Sequence, residues 1–292
     1  MSVTNEEVEP YNPAEIEDKW KKIKDESSIS FNKYWEEIVG KYTVSNGMYF
    51  DYGRDCILLY VMFMIPSEPD LRFGDDQADS VYHFLMRVWR LGNHLSKFFE
   101  DKELNPNFDK TINDDLFYLY QKLLKAKEEK KYHNIVSLFM SGIRKLEKDA
   151  GFTDHKGCHA LSLEKENADD KRELKLKKLL ELFSVYLYLL AEFAPFICQE
   201  LWGRLFGNKS IFSFKMPEIA LENNVTMTKY ILQVNGKTRC SIFCDISLSK
   251  EEIISKAYDS LKGREHMNNP LDKFRIIFVS GELINFVLKE DK

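Results

Sequence analysis

A chain of 292 residues with 44% hydrophobic and 30% charged residues can bury one large core or two ordinary ones. Its 42 basic and 47 acidic residues leave a net charge of −5, which excludes a globally basic polyanion binder and allows only local contacts of that kind. No apolar run approaches the ~20 residues a membrane helix needs, so no membrane partner is expected. The richest stretch, Leu179 to Leu190, contains Glu181 and Ser184 and reads as a buried helix. Five cysteines do not make a disulfide framework at this length and point to a reducing compartment. The first ten residues, MSVTNEEVEP, hold three glutamates and no basic residue, against a secretory signal or an Arg-rich transit peptide. An intracellular, soluble protein is expected, cytoplasmic on that N-terminus.

Taken along the chain, Tyr11 to Lys24 predicts a short amphipathic helix. Pro13 is tolerated in its first turn, and Ile16, Trp20 and Ile23 fall on one face. From Asp25 to Tyr49 the pattern weakens; Trp35, Ile38 and Tyr42 extend a helical spacing until Ser45, Asn46 and Gly47 stop it. Cys56 to Ile65 is an apolar run closed by Pro66, strand or helix by length alone. Ala78 to Glu100 carries a stripe of Val81, Leu85, Val88 and Leu95, and Asn105-Pro106 breaks it. Further helices are expected over Ile112 to Glu129 and Tyr132 to Lys148, followed by a polar connector from Gly151 to Asp170. The longest helix is predicted from Lys171 to about Phe206, kinked at Pro195. Long amphipathic helices with short links make a helical bundle.

After Gly207 the character changes. Two β-favouring stretches, YILQV and SIFCDI, flank Asn235-Gly236, the strongest short hairpin signal. Ser249 and Glu252 form a capping box that opens a helix to about Lys262. Strands are then expected at Phe274 to Val279 and Leu283 to Leu288, around Ser280-Gly281. The predicted fold class is α+β: mainly a helical bundle, then a small ββαββ domain. The divisions read as 1–51 (N-terminal helix and linker), 52–206 (bundle), 207–227 (linker) and 228–292 (C-terminal domain).

Catalytic signatures are missing: the sequence has no GxGxxG, no Gly-rich phosphate loop, no HExxH and no GxSxG. Asp154, His155, Cys158 and His159 cluster in the connector, but zinc needs about four ligands in closed spacing and no second pair follows. They read as a polar loop, and no metal is expected. Cys240 and Cys244 lie four apart on a predicted strand and read as two buried thiols acting as small hydrophobes. The hairpin is the stronger candidate. A tight turn at Asn235 and Gly236 exposes backbone N–H groups, and strand alternation puts Lys237 and Arg239 on one face, an arrangement able to hold a phosphate backbone. Residues 229–292 carry eleven basic and nine acidic side chains, so the rest of the chain holds a net −7. Arg87, Arg90 and Lys97 mark a face of the predicted bundle where charge is either solvated or available to a polyanion, and Arg87 and Arg90 join the hairpin residues as candidate polyanion contacts.

Several stretches together resemble leucyl-tRNA synthetase of the bacterial and organellar type. YNPAEIEDKW, from Tyr11, resembles that family's N-terminus, and YGRDCILLYVMFMIPSEPDLRF, from Tyr52, resembles the segment after its catalytic core. VYHFLMRVWRL from Val81 and LAEFAPFICQELW from Leu190 resemble the first and last helices of its anticodon-binding-type bundle. YILQVNGKTR from Tyr230 and FRIIFVSGELINFV from Phe274 resemble its C-terminal domain. The six stretches occur in the family's order. The resemblance implies a bundle lying along tRNA and a C-terminal domain touching the tRNA's outer corner. Asn235, Gly236, Lys237 and Arg239 carry over as that domain's hairpin, backbone contacts rather than sequence readers, and with Arg87 and Arg90 they are the candidate tRNA contacts. A mitochondrial location is the alternative the resemblance adds.

The departures bear on activity. The family's ATP-site signatures HIGH and KMSKS are both missing, and about twenty-five residues between Lys24 and Tyr52 stand where its catalytic and editing domains belong. Those loops stabilise charge on the transferring phosphates, so no ATP or leucine site and no aminoacylation by this single chain is expected. The family's hairpin continues with a second Gly-Arg pair where this chain has Cys240-Ser241, and fewer cations release fewer counterions. Three roles follow: a non-catalytic tRNA binder, with leucine tRNA the first candidate; a component or incomplete gene product of an active leucine–tRNA ligase, with a separate catalytic chain as partner; or a protein-interaction scaffold that binds no RNA.

Overall fold

The computed structural model describes residues 9–21, 26–42, 46–64, 75–100, 104, 114–150, 169–207, 210–213, 227–263, 266–267 and 269–289. The chain forms two compact units, Met1–Ile112 with Lys122–Pro217, and Asn113–Gln121 with Glu218–Lys292. The first is helical: α1 (Pro13–Trp20), α2 (Glu26–Ile38), α3 (Asn46–Met64), α4 (Asp75–Phe98), the C-terminal half of α5 (Asp114–Glu128), α6 (Tyr132–Ala150), α7 (Asp169–Leu190) and α8 (Pro195–Phe206). The second holds the N-terminal half of α5, β1 (Met227–Val234), β2 (Lys237–Asp245), α9 (Lys250–Lys262), β3 (Phe274–Val279) and β4 (Leu283–Leu288). The α+β class is observed.

Helix α1 starts as its sequence dictates. The Asn12 side chain accepts the Glu15 N–H at 3.3 Å and Pro13 opens the first turn. Asn46 and Gly47, expected to stop a helix, instead begin α3, and the ambiguous run that follows is helical. From Cys56 to Met62 every side chain is at most 1% exposed, so no amphipathic period could show. Buried on all sides, the segment satisfies its own backbone only as a helix. At Gly53 α3 kinks, with φ at 76°. A Cβ there would stand 2.6 Å from Pro13 Cβ and 2.7 Å from a Glu17 oxygen, so glycine is what lets α1 seat on α3.

The single long helix expected from Lys171 to Phe206 is two helices. α7 ends at Leu190, residues 191–194 turn, and Pro195 is the first residue of α8 rather than a kink within one rod. Proline cannot donate to the preceding turn, and Ala194 leaves helical geometry (φ −139°, ψ 66°). Ala194 offers no capping side chain; the buried carboxylate of Asp55 in α3 does that work from a distance. It accepts the Ile197 N–H at 2.9 Å and the Phe196 N–H at 3.5 Å. Burial pushes the Asp55 carboxyl well above its ordinary value, with Glu17 adding to the rise and the two amides opposing it.

The bundle core gathers α3, α4, α6, α7 and α8 around Leu59, Tyr60, Leu85, Phe139, Phe183, Tyr186 and Trp202. Each such ring or branched side chain contributes about 2–3 kcal/mol on burial. The Tyr186 hydroxyl keeps its share by donating to the Phe139 carbonyl at 2.9 Å.

In the second unit the strands run in the order β2-β1-β4-β3. β1–β2 and β3–β4 are antiparallel hairpins, and the central β1–β4 pair is parallel, with Ile231 opposite Leu283 and Val234 opposite Phe286. The capping box at Ser249 and Glu252 is formed. α9 lays Ile253, Ala257 and Leu261 over Tyr230, Leu232, Cys244, Ile284 and Phe286. Cys244 lies within that core and Cys240 packs against it. The connector with Asp154, His155, Cys158 and His159 and the break at Asn105-Pro106 lie outside the described residues. Among the described residues no helix is long and apolar enough to cross a membrane and no cluster of potential metal ligands occurs.

Candidate nucleic-acid interface

The β1–β2 hairpin turns on Asn235 (φ 51°) and Gly236 (φ 75°), the left-handed pair that a two-residue hairpin demands. Its tip is anchored rather than loose. The Asn235 N–H donates to the Phe286 carbonyl at 2.9 Å, and the Asn235 side-chain oxygen accepts the Leu288 N–H at 2.9 Å. The Gly236 N–H donates to the Asn285 side-chain oxygen at 3.1 Å. The turn's own amides therefore do not point outward, contrary to the expectation from the turn alone; the neighbouring strand β4 takes them. Asn235 and Gly236 hold the loop's shape. Asn285 is a supporting residue that the sequence could not signal, because it lies 49 positions from its partner.

Lys237 and Arg239 are both exposed, and neither has an ion-pair partner among the described residues. Their expected common face does not follow from their spacing. Val234 faces Lys237 and Gln233 faces Thr238, but Leu232 faces Cys240, so a bulge takes Arg239 out of register. Lys237 shares its face with Val234, and the bulge re-aims Arg239 independently. On the sheet face away from α9, Lys229 lies 5.9 Å over the Phe243 ring, which Tyr118 meets at 4.7 Å. Strand alternation through YILQV places Lys229 there with Ile231 and Gln233.

The bundle cations differ. Arg87, a candidate tRNA contact by its sequence, pairs its guanidinium with Glu147 of α6 through both Nε (2.8 Å) and Nη2. The Glu147 side chain is only 10% exposed, so Arg87 neutralises a carboxylate that the core has taken in. Helical spacing cannot reveal this, because the partner is on another helix. Arg90 is half-buried, its Nε donating to the Met86 carbonyl at 3.3 Å.

Around α8 the cations are equally engaged. Glu200 accepts Lys19 Nζ and Trp20 Nε1 at 2.7 Å each and Arg204 Nε at 3.0 Å. Burial raises this carboxyl, but the three hydrogen bonds outweigh it and hold the group below its ordinary value. Arg204 reaches Glu9 at 2.6 Å and Asn93 at 2.9 Å and stacks 4.5 Å over Trp89. The Trp89 indole and the Tyr82 hydroxyl donate to the carbonyls of Glu9 and Tyr11. The N-terminal segment is thereby stitched across α4 and α8.

Residues 155–260 are similar to the anticodon-binding domain of tRNA ligase. The match runs from the sequence before α7 into α9, across the division between the two units. The relatives are more particular. The leucine–tRNA ligase of Petrotoga mobilis is 27% identical over 248 residues, covering 82% of this chain and 28% of that protein. That of Prochlorococcus marinus subsp. pastoris is 28% identical, covering 81% and 26%, and that of Helicobacter hepaticus 27%, covering 91% and 29%. A solved Agrobacterium radiobacter K84 LeuRS, in a ternary complex with tRNA and LeuAMS, is 19% identical over 87% of this chain and 30% of its own, with a TM-score of 0.46. The resemblance to leucyl-tRNA synthetase therefore holds along most of the chain, which spans a little over a quarter of the length of those ligases.

Proposed function

We propose that this chain binds tRNA, with Lys237 and Arg239 gripping the phosphate backbone, and that it does not charge tRNA by itself. The observation that carries the reading is the hairpin: two exposed cations without partners among the described residues, held in place by Asn235 and Asn285. A polyanion site needs cations that are not already neutralised, on a loop that loses little freedom on binding. That no aminoacylation is proposed follows from the sequence, in which neither HIGH nor KMSKS occurs. A catalytic chain added in trans is the arrangement in which the same surface would serve an active leucine–tRNA ligase.

The test is binding of the purified chain to leucine tRNA and to an unrelated tRNA across a salt series. Each phosphate contact contributes about −0.9 to the slope of log K against log salt, so changing Lys237 and Arg239 to alanine should flatten that slope by about 2. Preference for leucine tRNA would favour service to a ligase. No binding at low salt to either tRNA rejects the RNA reading and leaves the scaffold, which the net −7 outside residues 229–292 favours.

A further inference from the structure

Helix α2 lies between Lys24 and Tyr52, the stretch that stands where the resemblance would put catalytic and editing domains. It sits on the bundle as a docked helix does. Phe31, Tyr34, Trp35 and Ile38 point inward, the i, i+3, i+4, i+7 spacing by which an amphipathic helix enters a groove, while Asn32, Lys33 and Glu36 are exposed. The groove is built by α3, α8, the turn before α8 and the start of α6. Phe31 meets Phe196 edge-on at 5.8 Å, and Tyr34 meets Phe193 at 5.1 Å. Arg54 of α3 lays its guanidinium 4.6 Å from the Trp35 ring and 5.6 Å from that of Phe31. Around these anchors runs a polar rim. The Tyr34 hydroxyl donates to Glu192 at 3.1 Å, and Glu37 accepts Lys130 at 3.1 Å and Tyr132 at 3.3 Å. Apolar anchors inside a ring of polar pairs are the anatomy of a protein–protein interface. The seat is also shallower than the core: Tyr34 and Trp35 are half-buried, whereas Cys56 to Met62 are at most 1% exposed.

We propose that the groove formed by α3, α8 and the start of α6 is a binding site for an amphipathic helix with aromatic anchors, and that this chain fills it with its own α2. The proposal rests on the non-charging reading and adds to it what holds this face: a catalytic chain in trans must displace α2 to dock there. The site asks for a definite chemistry. It takes a ring against Phe196, a phenol to donate to Glu192, a flat ring under Arg54 and a carboxylate for Lys130. The last of these is the weakest, because the Lys130 side chain is 70% exposed and solvent screens its pair. Held in the same chain as its groove, α2 acts at an effective concentration on the order of millimolar, so a free helix of the same sequence competes poorly.

A labelled peptide of residues 26–41, added to the full chain and followed by fluorescence anisotropy, tests the proposal. A chain carrying Phe31→Ala and Trp35→Ala loses the anchors of its own helix but keeps the groove, and should bind the peptide at least ~tenfold more tightly than the unaltered chain does. Arg54→Ala added to that chain should weaken peptide binding severalfold, and a peptide carrying Phe31→Ala and Trp35→Ala should not bind. Equal binding by both chains overturns the proposal, as does no binding to a double variant that keeps its circular dichroism. Should the double variant not fold, hydrogen exchange on the unaltered chain decides. The α2 amides should exchange about tenfold or more slowly than in the free peptide, yet faster than those of α3 and α8, because a docked helix opens without the bundle. Exchange as fast as in the free peptide, or as slow as in α3, overturns it. Aminoacylation by the purified chain would instead reject the non-charging reading and leave the peptide result standing.

Discussion

Arg87 and Arg239 are the same residue type in the same chain, and they do opposite work. Arg87 lies between α4 and α6 with its guanidinium on a nearly buried carboxylate; Arg239 is displaced by a bulge into solvent with no partner among the described residues. Several charges of the helical unit are likewise used internally: Lys19, Arg204 and Glu200 join α1 to α8, and Lys127 and Glu192 join α5 to the turn before α8. The C-terminal unit instead leaves Lys237 and Arg239 outside its apolar core. A cation count says little about polyanion binding until each cation's partner is known.

The comparison breaks hardest at Gly53. Gly53→Val would place a side chain within 2.6 Å of Pro13 and force a β-branched residue into positive φ, so a loss of about 3–4 kcal/mol is expected in urea unfolding of the helical unit. A loss under ~1 kcal/mol would mean that α1 does not need its close seat on α3. Next is Arg87→Ala, which strands Glu147 in a low-dielectric site and should cost about 2–3 kcal/mol. Arg239→Ala should leave the melting temperature unchanged. Equal effects of the two would erase the distinction between structural and available cations.

The smallest effect is the pH dependence within the bundle, where two carboxylates should pull in opposite directions. Asp55 is raised in the folded chain, so its contribution is fully present below the unfolded carboxyl value and declines as pH rises through the folded one. Glu200 is lowered, so its contribution is present above the unfolded value and is lost as pH falls through the folded one. Asp55→Asn should flatten the decline on raising pH from the acidic side, and Glu200→Gln the loss on acidification. Stability curves of the two variants that bend the same way would contradict these assignments.

Local chemistry made several elements readable in advance. Asn12-Pro13 opened α1, Asn235-Gly236 turned the hairpin, and Ser249 with Glu252 capped α9, each because the signal and its consequence lie within four residues. The amphipathic stripe of Val81, Leu85, Val88 and Leu95 likewise announced α4. α3 did not announce itself, because a helix buried on every side has no polar face to set its period. The division between α7 and α8 was marked by Pro195, but its form depended on Asp55, 140 positions earlier, supplying the cap that Ala194 lacks.

By itself, then, the sequence determined the class of fold, the hairpin, the order of elements in the C-terminal unit and the resemblance to leucyl-tRNA synthetase, since propensity, capping, turn chemistry and residue order are all local. Tertiary structure alone decided the parallel pairing of β1 with β4, the use of the hairpin amides by β4, and which arginines and lysines keep their charge for a partner. Those outcomes depend on contacts between residues far apart in the chain. A cation's availability is a property of its neighbours in space, and spacing along one helix or strand does not contain it.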